Sequence, residues 1–219
     1  MKKALIVLLI ALIATPLFAT KYDHYGVGFG ADFGKANYAD SNLVVKNVDL
    51  DLVIDSAIYF TEEYSDLQIG LGIQGSIGIP LSVKSNNVKS GDIKIPANVG
   101  FTLETAYAID RDLVVEARLG LGFRYITLSS ETIKYGDFKL GDKELRQYDF
   151  SVLGGLGGRY FVDDEVSIRF GANFNYTFAE ELVFVLTDNR YEYNNSIYDG
   201  ENNVTRWSAR PYVTMAFSY

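Results

Sequence analysis

The chain has 219 residues, of which 48% are apolar, with a mean hydropathy of +0.03 and no cysteine. This composition argues against a bundle of transmembrane helices, because each helical span needs about 20 consecutive apolar residues. The lack of cysteine excludes a disulfide-linked scaffold, thiolate metal sites and a cysteine nucleophile. A net charge of −8 at pH 7 also argues against nucleic acid as a partner.

The first 19 residues predict a cleaved signal peptide. They combine a positively charged start, an apolar stretch over residues 4–14 and Ala19, a small residue of the kind that signal peptidases prefer at the cleavage site. We therefore expect a single mature domain over residues 20–219. The alternative is a retained transmembrane anchor, which is disfavoured because the apolar stretch is short and Pro16 interrupts it.

The rest of the chain repeats one pattern, in which apolar residues alternate with small or charged ones. In one segment, for example, Leu119 and Leu121 alternate with Arg118 and Gly120. A period of two predicts β-strands that each have one apolar and one polar face. Eight such segments follow one another along the chain: residues 24–34, 47–60, 67–79, 93–107, 113–125, 148–160, 166–178 and 206–219.

Two architectures can bury one face of eight strands. In a soluble barrel or sandwich the apolar face points inward, whereas in a membrane barrel it points toward lipid. The polar face favours the second, because a solvated face does not need many glycines, while a narrow lumen needs small residues and paired charges. We therefore predict an all-β fold, an eight-stranded antiparallel up-and-down transmembrane β-barrel.

The polar face carries equal numbers of acids and bases. Charges enclosed away from bulk water need partners, and the planar guanidinium of arginine matches a carboxylate well. Glu104 and Arg118 lie at similar distances from the turn near residue 110, so we expect them to meet across one hairpin. The whole set is predicted to form an ion-pair network in the lumen: Asp32, Asp49, Asp51, Asp55, Lys94, Glu104, Glu116, Arg118, Arg124, Asp149, Arg159, Arg169, Arg206 and Arg210.

Short and long connections between the segments alternate. A membrane barrel with both termini in the periplasm has short periplasmic turns and long extracellular loops. Aromatic residues near both ends of the segments also predict two interfacial girdles. The predicted turns are residues 61–66, 108–112 and 163–165, and the predicted loops are residues 35–46, 80–92, 127–146 and 179–203.

The last segment is the most specific part of the sequence. Val213, Met215, Phe217 and Tyr219 alternate with smaller residues and end in an aromatic residue. With the strand pattern, this end resembles the small eight-stranded outer-membrane β-barrel family typified by the outer membrane protein A transmembrane domain and the opacity-type surface proteins. The resemblance implies a Gram-negative outer membrane and an assembly signal in these four residues, read by the barrel assembly machinery. Pro211 predicts a bulge or a gap in pairing, since it has no N–H.

Potential sites of chemistry are few. His24 is the one histidine, and we predict that it caps the lumen near the periplasmic rim rather than acting as a general base. Asp49, Asp51 and Asp55 could bind a cation, but we assign them to the ion-pair network. The sequence therefore predicts no catalytic residue, no metal site and no cofactor.

The last long connection is acidic and aromatic. Phe184, Tyr191, Tyr193 and Tyr198 make it a candidate for contact with an extracellular protein or glycan, the alternative being a solvated loop. The favoured function is a monomeric structural or surface-interaction barrel that contacts outer-membrane lipid and lipopolysaccharide. A narrow non-specific pore and a lipid-modifying enzyme are the alternatives.

Overall fold

The structure is a computed structural model that describes residues 22–38, 43–61, 66–85, 92–130, 133–135, 138–140, 143–186, 192–193 and 204–218. The predicted signal peptide lies outside these residues. Within them, no helix is long and apolar enough to cross a membrane.

Eight long strands follow one another along the chain. They are β1 (His24–Tyr38), β2 (Leu43–Tyr59), β3 (Leu67–Ser85), β4 (Asp92–Ala108), β5 (Leu113–Ser130), β8 (Lys143–Phe161), β9 (Val166–Leu186) and β11 (Val204–Ser218). Three short strands lie between them: β6 (Ile133–Tyr135), β7 (Phe138–Leu140) and β10 (Glu192–Tyr193).

The long strands form a closed, antiparallel barrel. Each strand pairs with the next long strand, and β11 pairs with both β9 and β1, which closes the sheet. We call the end that contains Tyr22, Ser218 and the turns at residues 109–112 and 162–165 the turn side, and the opposite end the loop side. The predicted eight-stranded barrel is confirmed.

The strands extend further toward the loop side than the sequence predicts. Residues 35–38 pair with residues 43–46, although the sequence analysis assigns both segments to a connection. Strands β5 and β8 likewise pair as far as Ser130 and Lys143. The apolar alternation fades in these segments, but backbone pairing does not require an apolar face. The predicted boundaries were therefore too short.

The predicted gap at Pro211 is confirmed. The β1–β11 ladder has no pairs between Gly30↔Tyr212 and Phe33↔Ala209, and it continues in the same register on the other side. A proline cannot donate a backbone hydrogen bond, which accounts for an interruption at this position.

Burial is inverted relative to a water-soluble protein. Outward-pointing apolar side chains are exposed, such as Leu119 at 62% and Leu156 at 64%, whereas inward-pointing Arg159 and Asp51 are fully buried. Soluble proteins rarely expose so large and continuous an apolar surface or bury so many charges. We call this outward surface the apolar belt.

Aromatic side chains occur at both edges of the apolar belt. On the turn side Phe60, Tyr107 and Tyr160 are exposed. On the loop side the exposed residues are Phe33, Tyr176, Phe178 and Trp207, while Tyr125 and Tyr148 are half-buried. These are positions where the sequence predicts the two girdles.

Candidate functional site

The inward-pointing charged side chains form two clusters inside the barrel. The turn-side cluster consists of Asp55, Glu104, Glu116, Arg118, Arg159, Arg169 and the His24 ring. The loop-side cluster consists of Asp32, Asp49, Asp51, Arg124, Asp149, Arg206 and Arg210. All of these side chains are buried. The alternation of the strands brings them inside, because every second residue faces the lumen.

Glu116 is the centre of the turn-side cluster. Its Oε1 accepts from Arg159 Nε at 2.8 Å and lies 2.7 Å from Arg159 Nη2. Its Oε2 accepts from Arg169 Nε at 2.8 Å and lies 2.8 Å from Arg169 Nη2. Arg169 also donates from Nη1 to Oδ2 of Asp55 at 2.7 Å. One carboxylate therefore orients two arginines, which come from neighbouring strands β8 and β9.

Glu104 and Arg118 meet across the β4–β5 hairpin, as predicted. They are register partners, and Arg118 Nε lies 3.6 Å from Glu104 Oε2. Arg118 also donates to the Tyr212 hydroxyl at 2.8 Å, and its guanidinium carbon lies 5.2 Å from the centre of the Tyr212 ring. Tyr212 therefore links β11 to the hairpin across the lumen.

His24 lies on the turn side, buried against Arg159 and Arg169. Its Nδ1 is 2.9 Å from the Tyr22 carbonyl oxygen, and its Nε2 is 2.5 Å from Arg169 Nη1. Its Nδ1 also lies 2.6 Å from Arg159 Nη2, so each ring nitrogen faces a guanidinium. Arg159 Nη1 also donates to the Tyr22 carbonyl oxygen, at 2.8 Å.

An aromatic layer fills the turn side of the lumen beyond this cluster. Tyr22 packs edge-on against Tyr59 and Phe161, with ring centroids 6.2 and 6.1 Å apart. Ala57, Ala106 and Val114 complete the buried group. The alternation of apolar and polar residues alone does not predict this layer. The inward positions of Tyr59 and Phe161 could have indicated it, because they continue the polar faces of β2 and β8 with large rings.

The loop-side cluster places like charges on neighbouring strands and pairs them with arginines. Asp32 and Asp49 are register partners on β1 and β2, and Arg124 contacts both, at 3.0 and 2.9 Å. Arg210 Nε lies 2.7 Å from Asp51.

A second pair of side chains completes the loop-side cluster. Arg206 lies 3.4 Å from Asp149 and donates to Asn47 at 3.3 Å. The candidate cation ladder Asp49, Asp51 and Asp55 is thus divided among three different arginines, and no group of acidic or histidine side chains among the described residues is placed to hold a metal ion.

The remaining candidate residues lie partly outside the described residues. Lys94 belongs to β4, but its side chain lies outside the described part of the chain. In the candidate contact loop, Tyr193 of β10 pairs with Phe184 of β9 through the backbone. The side chains of these two residues, and the whole of Tyr191 and Tyr198, lie outside the described part of the chain.

The candidate assembly signal faces outward. Val213 and Met215 are exposed, and Phe217 stacks on Tyr25 of β1 with 5.4 Å between ring centroids. Tyr219 lies outside the described residues.

A cavity lies beside the loop-side cluster. Its volume is about 20 Å³, which is room for about one water molecule. It is lined by Gln74, Asn98, Val99, Gly100, Gly122, Phe123, Arg124, Asp149, Ser151, Leu153, Asn175, Thr177, Arg206, Ser208 and Arg210. Side-chain amides and hydroxyls therefore share this space with paired charges.

The Tyr212 side chain lies close to Gly157, where a larger residue would leave it no room. An ideal Cβ on Gly157 would lie 2.5 Å from the Phe170 carbonyl oxygen and 3.0 Å from the Tyr212 hydroxyl. We expect Gly157→Val to lower the free energy of unfolding by about 1–3 kcal/mol, measured by urea titration of the refolded protein in lipid vesicles. Gly154→Val on the same strand is the matched control, since no described atom lies within 4 Å of its Cβ position. Equal losses in the two variants would contradict this tight fit.

Among known proteins, only solved structures match this chain, and the match concerns the fold. No family model matches the sequence, and no curated protein matches it. Among solved structures, the crystal structure of Neisserial surface protein A matches with a TM-score of 0.50 and 12% identity, over 92% of this chain and 99% of that one. The chain has the fold of the small eight-stranded outer-membrane β-barrels. The predicted resemblance is confirmed.

Other solved structures of outer-membrane proteins match at lower TM-scores. The outer membrane protein OprG from Pseudomonas aeruginosa has a TM-score of 0.49 and 13% identity, over 90% of this chain and 95% of that one. The outer membrane protease OmpT from Escherichia coli has a TM-score of 0.46 and 10% identity, over 94% of this chain and 99% of that one. At such identities the likeness concerns the fold.

Proposed function

We propose that the chain is an outer-membrane β-barrel protein of a Gram-negative bacterium, exported through the cleaved signal peptide over residues 1–19. Its role is structural or one of surface interaction through the extracellular loops. The observation that carries this proposal is the inverted burial, with an apolar belt outside and charged clusters inside. Such a surface is stable in lipid, whereas in water it would drive aggregation.

The contents of the lumen argue against the pore alternative. Glu116, Arg159, Arg169 and His24 are fully buried, and the aromatic layer lies next to them on the turn side. Eight strands enclose an interior that side chains can fill. The cavity on the loop side is the feature that favours a pore, but the turn-side cluster and the aromatic layer occupy the space beyond it.

The same contacts argue against an enzymatic role for His24. Its Nδ1 lies near the Tyr22 carbonyl and its Nε2 lies near Arg169. A general base needs a free nitrogen within hydrogen-bond reach of a substrate proton. We therefore assign no catalytic step to His24.

The proposed partners would contact three different parts of the protein. Outer-membrane lipid and lipopolysaccharide would surround the apolar belt of a monomer, and the barrel assembly machinery would read Val213, Met215, Phe217 and Tyr219. An extracellular protein or glycan would contact the last loop through Phe184, Tyr191, Tyr193 and Tyr198.

The test uses cells that display the protein. We expect a variant with Tyr191, Tyr193 and Tyr198 changed to Ser to lose binding to immobilised extracellular-matrix proteins and glycans. The control carries Tyr135→Ser, in the separate β6–β7 hairpin. Both proteins should be present in the outer membrane and shift on unheated gels like the wild type. Absence from the outer-membrane fraction would contradict the location, and unchanged binding would contradict the surface-interaction role.

A further inference from the structure

Two lysines lie side by side on the outer surface of the barrel. Lys35 of β1 and Lys46 of β2 are register partners, and such partners face the same side of a sheet. Their strand neighbours Gly34 and Asn47 are buried in the lumen, so the two lysines point outward. The register continues to Lys84 on β3, the partner of Lys46, whose side chain lies outside the described part of the chain. We call these three positions the lysine row.

The lysine row lies at the loop-side edge of the apolar belt. On β11, Trp207 is the register partner of Lys35 and is 48% exposed. Phe33, two residues before Lys35 on the same face of β1, is 45% exposed. Aromatic rings at the edge of a membrane-spanning surface lie level with the lipid headgroups. A lysine at this level lays its methylene stem on the barrel wall and places its ammonium group among the headgroups.

The lysines have no acidic partner on the described outer surface. No described carboxylate forms an ion pair with Lys35 or Lys46. Asp32 and Asp49, three residues away along the same two strands, point into the lumen and contact Arg124 there. Like charges directly opposite each other destabilise a sheet, because their Cβ atoms are only about 4.5–5.5 Å apart. An anion held between the two ammonium groups would offset this repulsion.

The other edge of the barrel carries the opposite charge. Residues 110–112, in the turn between β4 and β5, are two aspartates and one arginine, all exposed. Residues 163–165, in the turn between β8 and β9, are two aspartates and one glutamate, also exposed. An anionic headgroup is therefore repelled at these two turns and attracted at the lysine row. The attraction is local, since the whole chain has a net charge of −8.

The arrangement of the lysine row favours a phosphomonoester. Neighbouring strands lie about 4.8 Å apart, so one small anion reaches the ammonium groups of two adjacent lysines. A phosphomonoester carries a charge of about −1.5 to −2 at pH 7 and three acceptor oxygens, which matches two opposed lysines. A phosphodiester has a single negative charge and fewer free oxygens. The exposed rings of Trp207 and Phe33 beside the row favour a lipid over a soluble anion.

We propose that Lys35 and Lys46, together with Lys84, bind the phosphomonoester headgroup of a lipid in the leaflet on the loop side. The ammonium groups donate to the phosphate oxygens, and the acyl chains lie on the apolar belt beside Phe33. The proposal rests on the outer-membrane location given above, in which this leaflet is the outer one. It makes the lysine row a site that selects one class of lipid from those that surround the barrel.

Trp207 reports on the occupant, because it is the one tryptophan of the chain and the register partner of Lys35. The refolded protein is placed in phosphatidylcholine vesicles that contain a lipid brominated on its acyl chains, which quenches a neighbouring tryptophan. The brominated lipid is phosphatidic acid, a phosphomonoester, or phosphatidylglycerol, a phosphodiester, or phosphatidylcholine, at equal mole fraction. We expect phosphatidic acid to associate about tenfold more strongly than phosphatidylcholine, and more strongly than phosphatidylglycerol.

Substitutions test whether the lysine row causes this preference. Lys35→Gln/Lys46→Gln should bring the association of phosphatidic acid close to that of phosphatidylcholine, whereas Lys35→Arg/Lys46→Arg keeps both charges and should keep the preference. The matched control is Lys134→Gln/Lys139→Gln, because these two lysines are register partners in the separate β6–β7 hairpin. The control should leave the preference unchanged.

Four outcomes would contradict parts of this account. Equal quenching of the wild type by all three lipids, or an unchanged preference in Lys35→Gln/Lys46→Gln, would refute the site. Equal association of phosphatidic acid and phosphatidylglycerol would refute selection of a phosphomonoester. Displacement of brominated phosphatidic acid by added inorganic phosphate would assign the lysine row to a soluble anion and overturn the lipid. Absence of quenching by every brominated lipid would instead contradict the proposed membrane location.

Discussion

Replacing Glu116 by Gln is expected to lower the free energy of unfolding by about 3–5 kcal/mol. The substitution keeps the shape of the side chain but removes the charge that Arg159 and Arg169 share at 2.7–2.8 Å. Both guanidiniums are fully buried, so neither gains water in exchange. Urea titration of the refolded protein in vesicles, followed by tryptophan fluorescence, measures the loss.

The control for this prediction makes the same substitution at a glutamate that is exposed to water. Glu165 lies in the exposed turn between β8 and β9. Glu165→Gln should shift the free energy of unfolding by no more than about 0.5 kcal/mol. A similar small shift for Glu116→Gln would mean that the two arginines find other partners, and that Glu116 does not organise the turn-side cluster.

Placing an arginine in the apolar belt is expected to cost about 2–4 kcal/mol of unfolding free energy. Leu119 lies on β5 between Arg118 and Gly120 and points outward. In Leu119→Arg the guanidinium would have to enter hydrocarbon or pull water and headgroups toward it. The same urea titration in vesicles reports the loss.

A residue of similar exposure outside the belt provides the comparison. Ile109 lies in the turn between β4 and β5 and is as exposed as Leu119. We expect Ile109→Arg to be nearly neutral, because this turn is at the membrane surface or in water. The same small effect of the two substitutions would contradict a lipid-facing position for Leu119, because the cost of an arginine in a membrane depends on its depth.

The faces of the strands could be predicted from the sequence because side chains alternate strictly. The period of two placed Leu119 outside and Arg118 inside without any knowledge of the barrel. The Glu104–Arg118 pair followed from distances to one turn, since a hairpin fixes its own register.

Contacts across the lumen could not be predicted in the same way. That Glu116 is shared by Arg159 and Arg169 depends on the tilt and stagger of strands β5, β8 and β9, which the closed barrel sets as a whole. The same holds for Tyr212 reaching Arg118 from β11. A residue pattern indicates which side chains enter the lumen, but the geometry of closure decides which of them touch.

The end of the β3–β4 ladder illustrates the same limit. Pro80 and Pro96 are visible in the sequence, but the alternation pattern places Pro80 at the start of a loop. Only the register shows that both prolines lie just beyond the last pair of these two strands, Ile77↔Ala97. Their effect depends on the pairing of two strands, whereas the effect of Pro211 could be predicted from its own strand.

The orientation of the apolar belt is the central claim, and spin-label accessibility at residue 119 tests it most directly. Leu119→Cys introduces a single labelling site in a chain without native cysteine. In vesicles, we predict that the label collides readily with lipid-soluble oxygen and hardly at all with a water-soluble nickel chelate. A label on Ile109→Cys should show the reverse. High accessibility to the nickel chelate at residue 119 would contradict a lipid-facing belt.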